Sequence, residues 1–153
     1  MQPRDSVPGE DRLLREMRLE IERLHRFFQD WFTGAIPDED TAFAPVVTAL
    51  GPDFEIVPPD GRRQPRDELL TGLRAAWGSR RGDPAFAIRV EDVRLRRVTD
   101  ALLLGTYEEW QEDGAGLRGR LSLVAFERGP AGLSWLHVHE VALPGRGEVS
   151  AGE

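Results

Sequence analysis

Residues 101–143 decide the fold of this chain, and they read ALLLGTYEEWQEDGAGLRGRLSLVAFERGPAGLSWLHVHEVAL. Three runs in this stretch alternate apolar and polar residues, at 101–111, 117–128 and 133–143, as expected of β-strands. The connections between them, at 112–116 and 129–132, are short and rich in Gly. Because short connections join strands that run in opposite directions, the stretch predicts an antiparallel sheet.

The residues before this stretch predict one more long strand and three helices. Residues 86–95 alternate, and the alternation changes phase at Glu91-Asp92, which predicts a β-bulge that bends the sheet. Apolar residues spaced three and four apart predict a long helix at 11–34. Further elements are expected as a helix at 38–50, a short strand at 53–57 and a helix beginning at Pro65. This order of helices and strands predicts an α+β domain.

Composition excludes several classes of chemistry. The chain has 153 residues, no cysteine and a net charge of −7, and all 20 of its basic residues are arginine. Thiolate catalysis, sulfur-ligated zinc and lysine Schiff bases are therefore impossible. No basic block stands apart from acidic neighbours, so we expect no nucleic acid and no anionic membrane as partner. Asparagine is missing as well as lysine, which is typical of the codon bias of a GC-rich bacterial genome.

The two ends of the chain differ from the rest in composition. Residues 1–9 and 144–153 are rich in Pro, Gly, Ser and charge, so we expect flexible tails around a single domain at 10–143. The N-terminal residues have no apolar run of the kind found in a signal peptide. No stretch approaches the about 20 apolar residues that span a bilayer. The expected location is the cytoplasm.

A candidate site follows from the cross-strand partners that the two turns imply. With the turns centred near Gly114 and Pro130, Arg120 faces Glu108 on one side and Glu140 on the other. The same face carries apolar residues at one end and this charged row at the other, where the mouth of a pocket is expected. Glu108 and Glu140 are the candidate catalytic residues. The candidate ligand-binding residues are Arg120, Trp110, Ser122 and Trp31.

Two interpretations of the charged row remain open. In one, a glutamate acts as general acid or base while Arg120 orients an anionic or carbonyl ligand. In the other, the row is an ion-pair network that neutralises itself and has no chemical role. The sequence therefore leaves open whether the chain is an enzyme.

No cofactor or metal is expected. Residues 114–119 match G-x-G-x-x-G, but a strand follows instead of the helix that a dinucleotide site requires. His137 and His139 share one strand face at a spacing that can serve a metal, but the sequence offers no third ligand. We therefore interpret the two histidines as packing or interface residues.

The motifs Tyr107-Glu108-Glu109-Trp110 and Trp135-Leu136-His137-Val138-His139-Glu140, with the order of the elements, resemble the nuclear transport factor 2-like superfamily. Its SnoaL-like domains of unknown function are the branch that the chain resembles most. The resemblance covers about 20–143 and implies a curved antiparallel sheet wrapped around about three helices, as a cone-shaped barrel with a pocket. The family's usual acid-base residues, an Asp on a strand or an Asp–His pair, have no matching position here.

The resemblance also implies two classes of function, because the superfamily includes both enzymes and assembly domains. The first is binding of a small, partly apolar ligand, or its acid-base conversion by an isomerase, dehydratase or cyclase. The second is a non-catalytic dimeric assembly module. We expect a homodimer through the convex face of the sheet, since Tyr107, Leu121, Leu123 and Trp135 are predicted to lie there with no helix to cover them.

Overall fold

The computed structural model describes residues 9–145 as three helices and a six-stranded sheet. The elements are α1 (Glu10–Thr33), α2 (Asp40–Ala49), β1 (Leu50–Val57), β2 (Gln64–Pro65), α3 (Arg66–Ala75), β3 (Ala87–Val98), β4 (Leu102–Asp113), β5 (Gly116–Gly129) and β6 (Gly132–Leu143). The predicted α+β class is confirmed. The predicted tails at 1–9 and 144–153 lie almost wholly outside the described residues.

The sheet is curved and open. Its strand order is β2-β1-β6-β5-β4-β3, so β2 and β3 are its two edges and the predicted barrel does not close. Each neighbouring pair from β3 to β6 is antiparallel, as predicted, and β1 also pairs with β2 in this way. β1 and β6 run parallel, and between them the chain passes through β2, α3 and the three strands β3 to β5.

α1 lies in the concave side of the sheet and supplies much of the core. Its periodic apolar residues include Met17, Ile21 and Trp31, none of which is exposed. Each such side chain contributes about 1.5–3 kcal/mol through burial. The Trp31 indole N–H donates to the carbonyl of Leu73 at 2.7 Å and so joins α1 to α3.

The predicted β-bulge in β3 is confirmed. Asp92 has a φ of 53°, and the register between β3 and β4 shifts between Glu91 and Arg94. At Gly105, β4 lies in close contact with Met17 of α1. A Cβ at Gly105 would lie 2.7 Å from the sulfur of Met17, so only glycine lets α1 approach this strand so closely.

The predicted register between β4 and β5 is wrong by one residue. The hairpin has a two-residue loop, Gly114-Ala115, in which Asp113 pairs with Gly116. As a result Arg120 lies opposite Glu109, and Glu108 lies opposite Leu121. A shift of one residue moves a side chain to the other face of a sheet. The predicted row of Glu108, Arg120 and Glu140 is therefore not formed.

The predicted register between β5 and β6 is wrong by one residue beside the turn, which moves Trp135 to the other face, and by two residues beyond it, where the predicted faces are correct. Gly129 pairs with Gly132 across the turn, and a further irregularity follows between Ala125 and Phe126. Ser122 then lies opposite Glu140, which keeps Arg120 and Glu140 on one face as diagonal neighbours.

These registers change the predicted composition of the convex face. Tyr107 and Trp135 are buried on the concave side, so their predicted place on the convex face is wrong. Leu121, Leu123 and Val141 lie on the convex side and are 40 to 57 % exposed. The convex face therefore carries exposed aliphatic residues but neither Tyr107 nor Trp135.

In the part of the chain that the structure describes, no helix is both long and apolar enough to cross a membrane.

Candidate functional site

The interior of the cone contains a cavity of about 150 Å³ with one apolar and one polar end. Its apolar wall consists of Phe28, Phe32, Leu50, Phe54, Ile56, Leu69, Leu73, Trp135 and Val138. Its polar end consists of His25, Tyr107, Glu109, Gln111, Arg120 and Glu140. A small cavity lined mostly by apolar groups, with a few convergent polar groups, is the usual form of a ligand site.

His25 and Glu109 form a buried pair at the polar end. The His25 Nε2 atom lies 3.3 Å from Oε1 of Glu109, and the two residues are 5 % and 7 % exposed. On the other side of the ring, Nδ1 donates to the carbonyl of Ile21 at 2.8 Å. A carbonyl can only accept, so Nδ1 carries a proton, and a second proton on Nε2 makes the ring an imidazolium facing a carboxylate.

The electrostatics of the pair favour its charged form. Burial alone would lower the pKa of His25, but the hydrogen bond to Glu109 and its charge outweigh burial and raise that pKa above its usual value. Burial likewise acts to raise the pKa of Glu109. The hydrogen bond and charge of His25, together with Arg120, outweigh it and lower the pKa. The two groups therefore stabilise each other's charge.

Arg120 and Glu140 form a second pair beside the first. The Arg120 Nη1 atom donates to Oε1 of Glu140 at 3.1 Å, with side chains that are 43 % and 5 % exposed respectively. Burial raises the pKa of Glu140, and Arg120, being half in solvent, offsets this only in part. The negative charge of Glu109 raises it further. Of the two carboxyls at the polar end, Glu140 is thus the one whose raised pKa favours the protonated form.

Two hydroxyl groups lie at the floor of the polar end. Burial raises the pKa of Tyr107 well above its usual value, so its hydroxyl stays a neutral donor. Ser122 is fully buried opposite Tyr107 and beside Glu140. Its Oγ approaches the Tyr107 side chain, but it makes no hydrogen bond of good geometry within the described residues.

The structure separates the residues predicted for the site. Arg120 and Glu140 lie together at the cavity, and Ser122 lies beneath them. Glu108 and Trp110 lie on the opposite face of β4, where the Trp110 indole N–H donates to Oε1 of Glu108 at 3.0 Å, so neither lines the cavity as predicted. Trp31 is in the core between α1 and α3 and does not line the cavity.

Sequence reasoning missed His25 and Glu109. His25 follows Ile21 by four positions and precedes Phe28 by three. That spacing places it on the apolar face of α1, which is a signal for a buried histidine. Glu109 was missed because it could be found only from the correct register of β4 and β5.

His137 and His139 lie together on the convex face, as their spacing predicts. Their rings stack with centroids 4.9 Å apart, and Nε2 of His137 lies 2.6 Å from Nδ1 of His139. Across residues 9–145, no group of three or more His, Asp or Glu side chains is arranged to hold a metal ion.

Comparison with known proteins identifies the family. The profile of the family described as sucrose-6-phosphate phosphohydrolase C-terminal matches residues 18–144. The chain belongs to this family. Sucrose-phosphatases 1 and 2 of Nicotiana tabacum are each 25 % identical to it over 130 residues, which are 82 % of this chain. The chain spans about a third of the length of these curated relatives, since the match covers 30 % of each.

Solved structures show that this sucrose-6-phosphate phosphohydrolase C-terminal domain has the predicted superfamily fold. A nuclear transport factor 2-like protein of unknown function from Pseudomonas aeruginosa superposes with a TM-score of 0.76 at 28 % identity, over 84 % of this chain and 99 % of that one. A similar protein from Rhodospirillum rubrum, of unknown function in nutrient uptake, gives 0.61 at 16 % identity, over 84 % and 98 %. The superfamily prediction is confirmed, whereas membership of the SnoaL-like branch stays a prediction.

Proposed function

We propose that this chain binds a small, partly apolar molecule in the interior cavity and exchanges a proton with it. The observation that carries the proposal is the meeting of two charge pairs, His25–Glu109 and Arg120–Glu140, at one end of an otherwise aromatic and aliphatic cavity. The phosphatase activity named for the tobacco relatives is not part of the proposal, because the match covers only 30 % of their length.

Each polar residue has a distinct role in this proposal. Glu140 is the general acid or base, since its pKa is raised towards the range in which a carboxyl can both accept and release a proton. Arg120 orients a carbonyl or acid group of the ligand. Glu109 stays ionised beside His25, and its fixed charge favours positive charge that develops nearby. Isomerisation, dehydration and cyclisation are the reaction classes that need only these groups.

The size and lining of the cavity limit the ligand. Sites for drug-sized molecules have volumes of about 300–1,000 Å³. At about 150 Å³ the interior cavity accepts only one ring or a short chain, with any larger part of the ligand outside. The aromatic wall favours an apolar body, and the Arg120 guanidinium favours one carbonyl, hydroxyl or acid group beside it.

Mass spectrometry of molecules released from natively purified protein tests the proposal. Leu69 lines the cavity, so Leu69→Trp should fill it, whereas Leu19→Trp adds the same side chain at a position that is 59 % exposed. We expect a small molecule to be released from the wild type and Leu19→Trp, but not from Leu69→Trp. Equal release from all three proteins, or release from none, would contradict occupation of the cavity.

Assembly is a second candidate function, favoured by the convex face. Leu121, Leu123 and Val141 form an exposed aliphatic surface on the middle strands of the sheet, and such surfaces commonly bind a second copy of the chain. A homodimer through this face is therefore part of the proposal. The two functions are compatible, since the cavity and the convex face lie on opposite sides of the sheet. The expected cytoplasmic location stays a prediction.

A further inference from the structure

The polar end of the cavity adjoins a larger groove, which we call the mouth. The mouth has a volume of about 500 Å³, and its polar lining consists of Arg80, Glu109, Gln111, Arg118 and Arg120. Glu109, Gln111 and Arg120 line both spaces. A ligand in the cavity can therefore extend into the mouth.

Three arginines line the mouth: Arg118 and Arg120 of β5, and Arg80, which lies between α3 and β3. Arg118 donates from Nη2 to Oδ2 of Asp113 at 2.9 Å, and the Arg80 Nη1 atom lies 3.8 Å from the same oxygen. Asp113 is held in turn by the backbone N–H of Ala115, which donates to Oδ1 at 2.7 Å. One fixed carboxylate thus positions two guanidinium groups, and Arg120 is positioned by Glu140.

The charges at the mouth do not balance. The three arginines are paired with two carboxylates, Asp113 and Glu140, while the third carboxylate, Glu109, is neutralised by His25. Among residues 9–145, one positive charge is left over at the mouth. A guanidinium group also has five N–H donors, and the contacts described use only one on each arginine, so donors remain for a ligand. Planar guanidinium groups match carboxylate and phosphate groups in particular.

We propose that the ligand is an organic anion, with its acid group bound at the mouth by Arg80, Arg118 and Arg120 and its apolar body inside the cavity. This inference rests on the proposed function. The interior carboxylates of Glu109 and Glu140 repel an acid group, so the ligand enters with its apolar end first. A cavity of about 150 Å³ lined by Leu, Ile and Phe binds benzene in another protein, which fixes the apolar body at about one ring.

Isothermal titration with three probes of one size tests the inference. The probes are 3-phenylpropionate, its neutral isostere 3-phenylpropionamide, and phenyl phosphate. We expect the two anions to bind at least about tenfold more tightly than the amide, with a difference that shrinks as salt is raised. If only phenyl phosphate shows this preference, the acid group is a phosphate ester, and if both do, it is any compact anion.

Variants of the mouth arginines test whether the acid group binds at the mouth. Arg118→Gln and Arg80→Gln should each remove most of the anion preference and leave binding of the amide unchanged. The matched control is Arg23→Gln, which removes an exposed arginine with an ion pair to Glu20, away from the mouth. If either mouth variant does not fold, the other one decides.

The possible results distinguish the inference that the ligand is an anion from the proposal that the cavity binds a ligand. Equal affinity for the amide and both acids, or an anion preference that survives in the mouth variants, overturns the inference but leaves the pocket proposal standing. Failure of all three probes to bind also overturns the inference. The pocket is then decided by the release of molecules from the wild type and Leu69→Trp proteins.

Discussion

Replacement of His25 by leucine should destabilise the protein strongly, because it leaves a buried carboxylate without its partner. His25 and Glu109 are 5 % and 7 % exposed and 3.3 Å apart, so little water reaches the carboxylate in place of the lost imidazolium. Leucine is similar in size to histidine, and the change creates little empty space. The cost is therefore mainly electrostatic.

The expected loss in the free energy of unfolding follows from the behaviour of buried ion pairs. Removal of one partner of such a pair costs about 3–5 kcal/mol, whereas replacement of both by apolar residues is neutral or stabilising in many proteins. His25→Leu should thus lose about 3–5 kcal/mol of the free energy of unfolding. Glu109→Gln should lose less, about 1–2 kcal/mol, since neutral His25 can keep its bond to Ile21. The double variant His25→Leu/Glu109→Leu should recover most of the loss.

The loss should also depend on pH. The pKa of His25 is raised above 6.5 in the folded state, so its contribution to stability is complete below 6.5 and is lost as pH rises through the folded value. The pKa of Glu109 is lowered below 4.5, so its contribution is complete above 4.5 and is lost as pH falls through the folded value. The difference between wild type and His25→Leu should therefore be largest between pH 4.5 and 6.5.

Urea unfolding of the single and double variants at pH 5.5, 7 and 9 measures these differences. His139→Leu is the matched control, because the same change at an exposed histidine should alter stability by at most about 0.5 kcal/mol. A loss below about 1 kcal/mol for His25→Leu at pH 5.5 would refute the reasoning. So would a double variant whose loss equals the sum of the single losses.

Three further changes address other parts of the molecule. Glu140→Gln should stabilise the protein by about 1 kcal/mol at pH 8 and by nothing at pH 4, because a carboxyl with a raised folded pKa costs stability only when ionised. Destabilisation at pH 8 in urea unfolding would contradict this. Leu123→Arg should convert a dimeric wild type to monomer in sedimentation at micromolar concentration, and a monomeric wild type would remove the convex-face dimer from the proposal. Gly105→Ala should lose about 1–3 kcal/mol in urea unfolding because its Cβ would lie 2.7 Å from Met17, whereas Gly114→Ala, which meets nothing within 4 Å, should lose little.

The fold could be predicted because its signals are local. The spacing of apolar residues in α1, the alternation of the long strands and the Gly-rich turns each act within about ten residues of sequence. The same holds for the bulge, where the change of phase at Glu91-Asp92 corresponds to a positive φ at Asp92. Packing then adjusts the ends of these elements without changing their kind.

The site could be predicted only in part because it depends on register. The Gly114-Ala115 loop has two residues, which places Glu109 and not Glu108 opposite Arg120. Beside the second turn, the register of β5 and β6 differs from the prediction by one residue, and the irregularity between Ala125 and Phe126 adds a second. The total shift of two residues places Glu140 on its predicted face. The bulge in β3 is predicted from its change of phase, whereas the irregularity beside Ala125 is not predicted, and the register of β6 depends on it.

The charges inside the cone are themselves an argument for a ligand. A cone that served only as a spacer between copies of the chain would be at least as stable with apolar side chains at His25, Glu109 and Glu140, since buried charges are expensive to desolvate. The carboxyl of Glu140 is not fully compensated, because burial raises its pKa although Arg120 is bound to it. Groups whose pKa is shifted in this way, at the end of a cavity, are typical of sites that bind or convert a polar group. The interior therefore supports the ligand proposal, whereas assembly depends on the convex face alone.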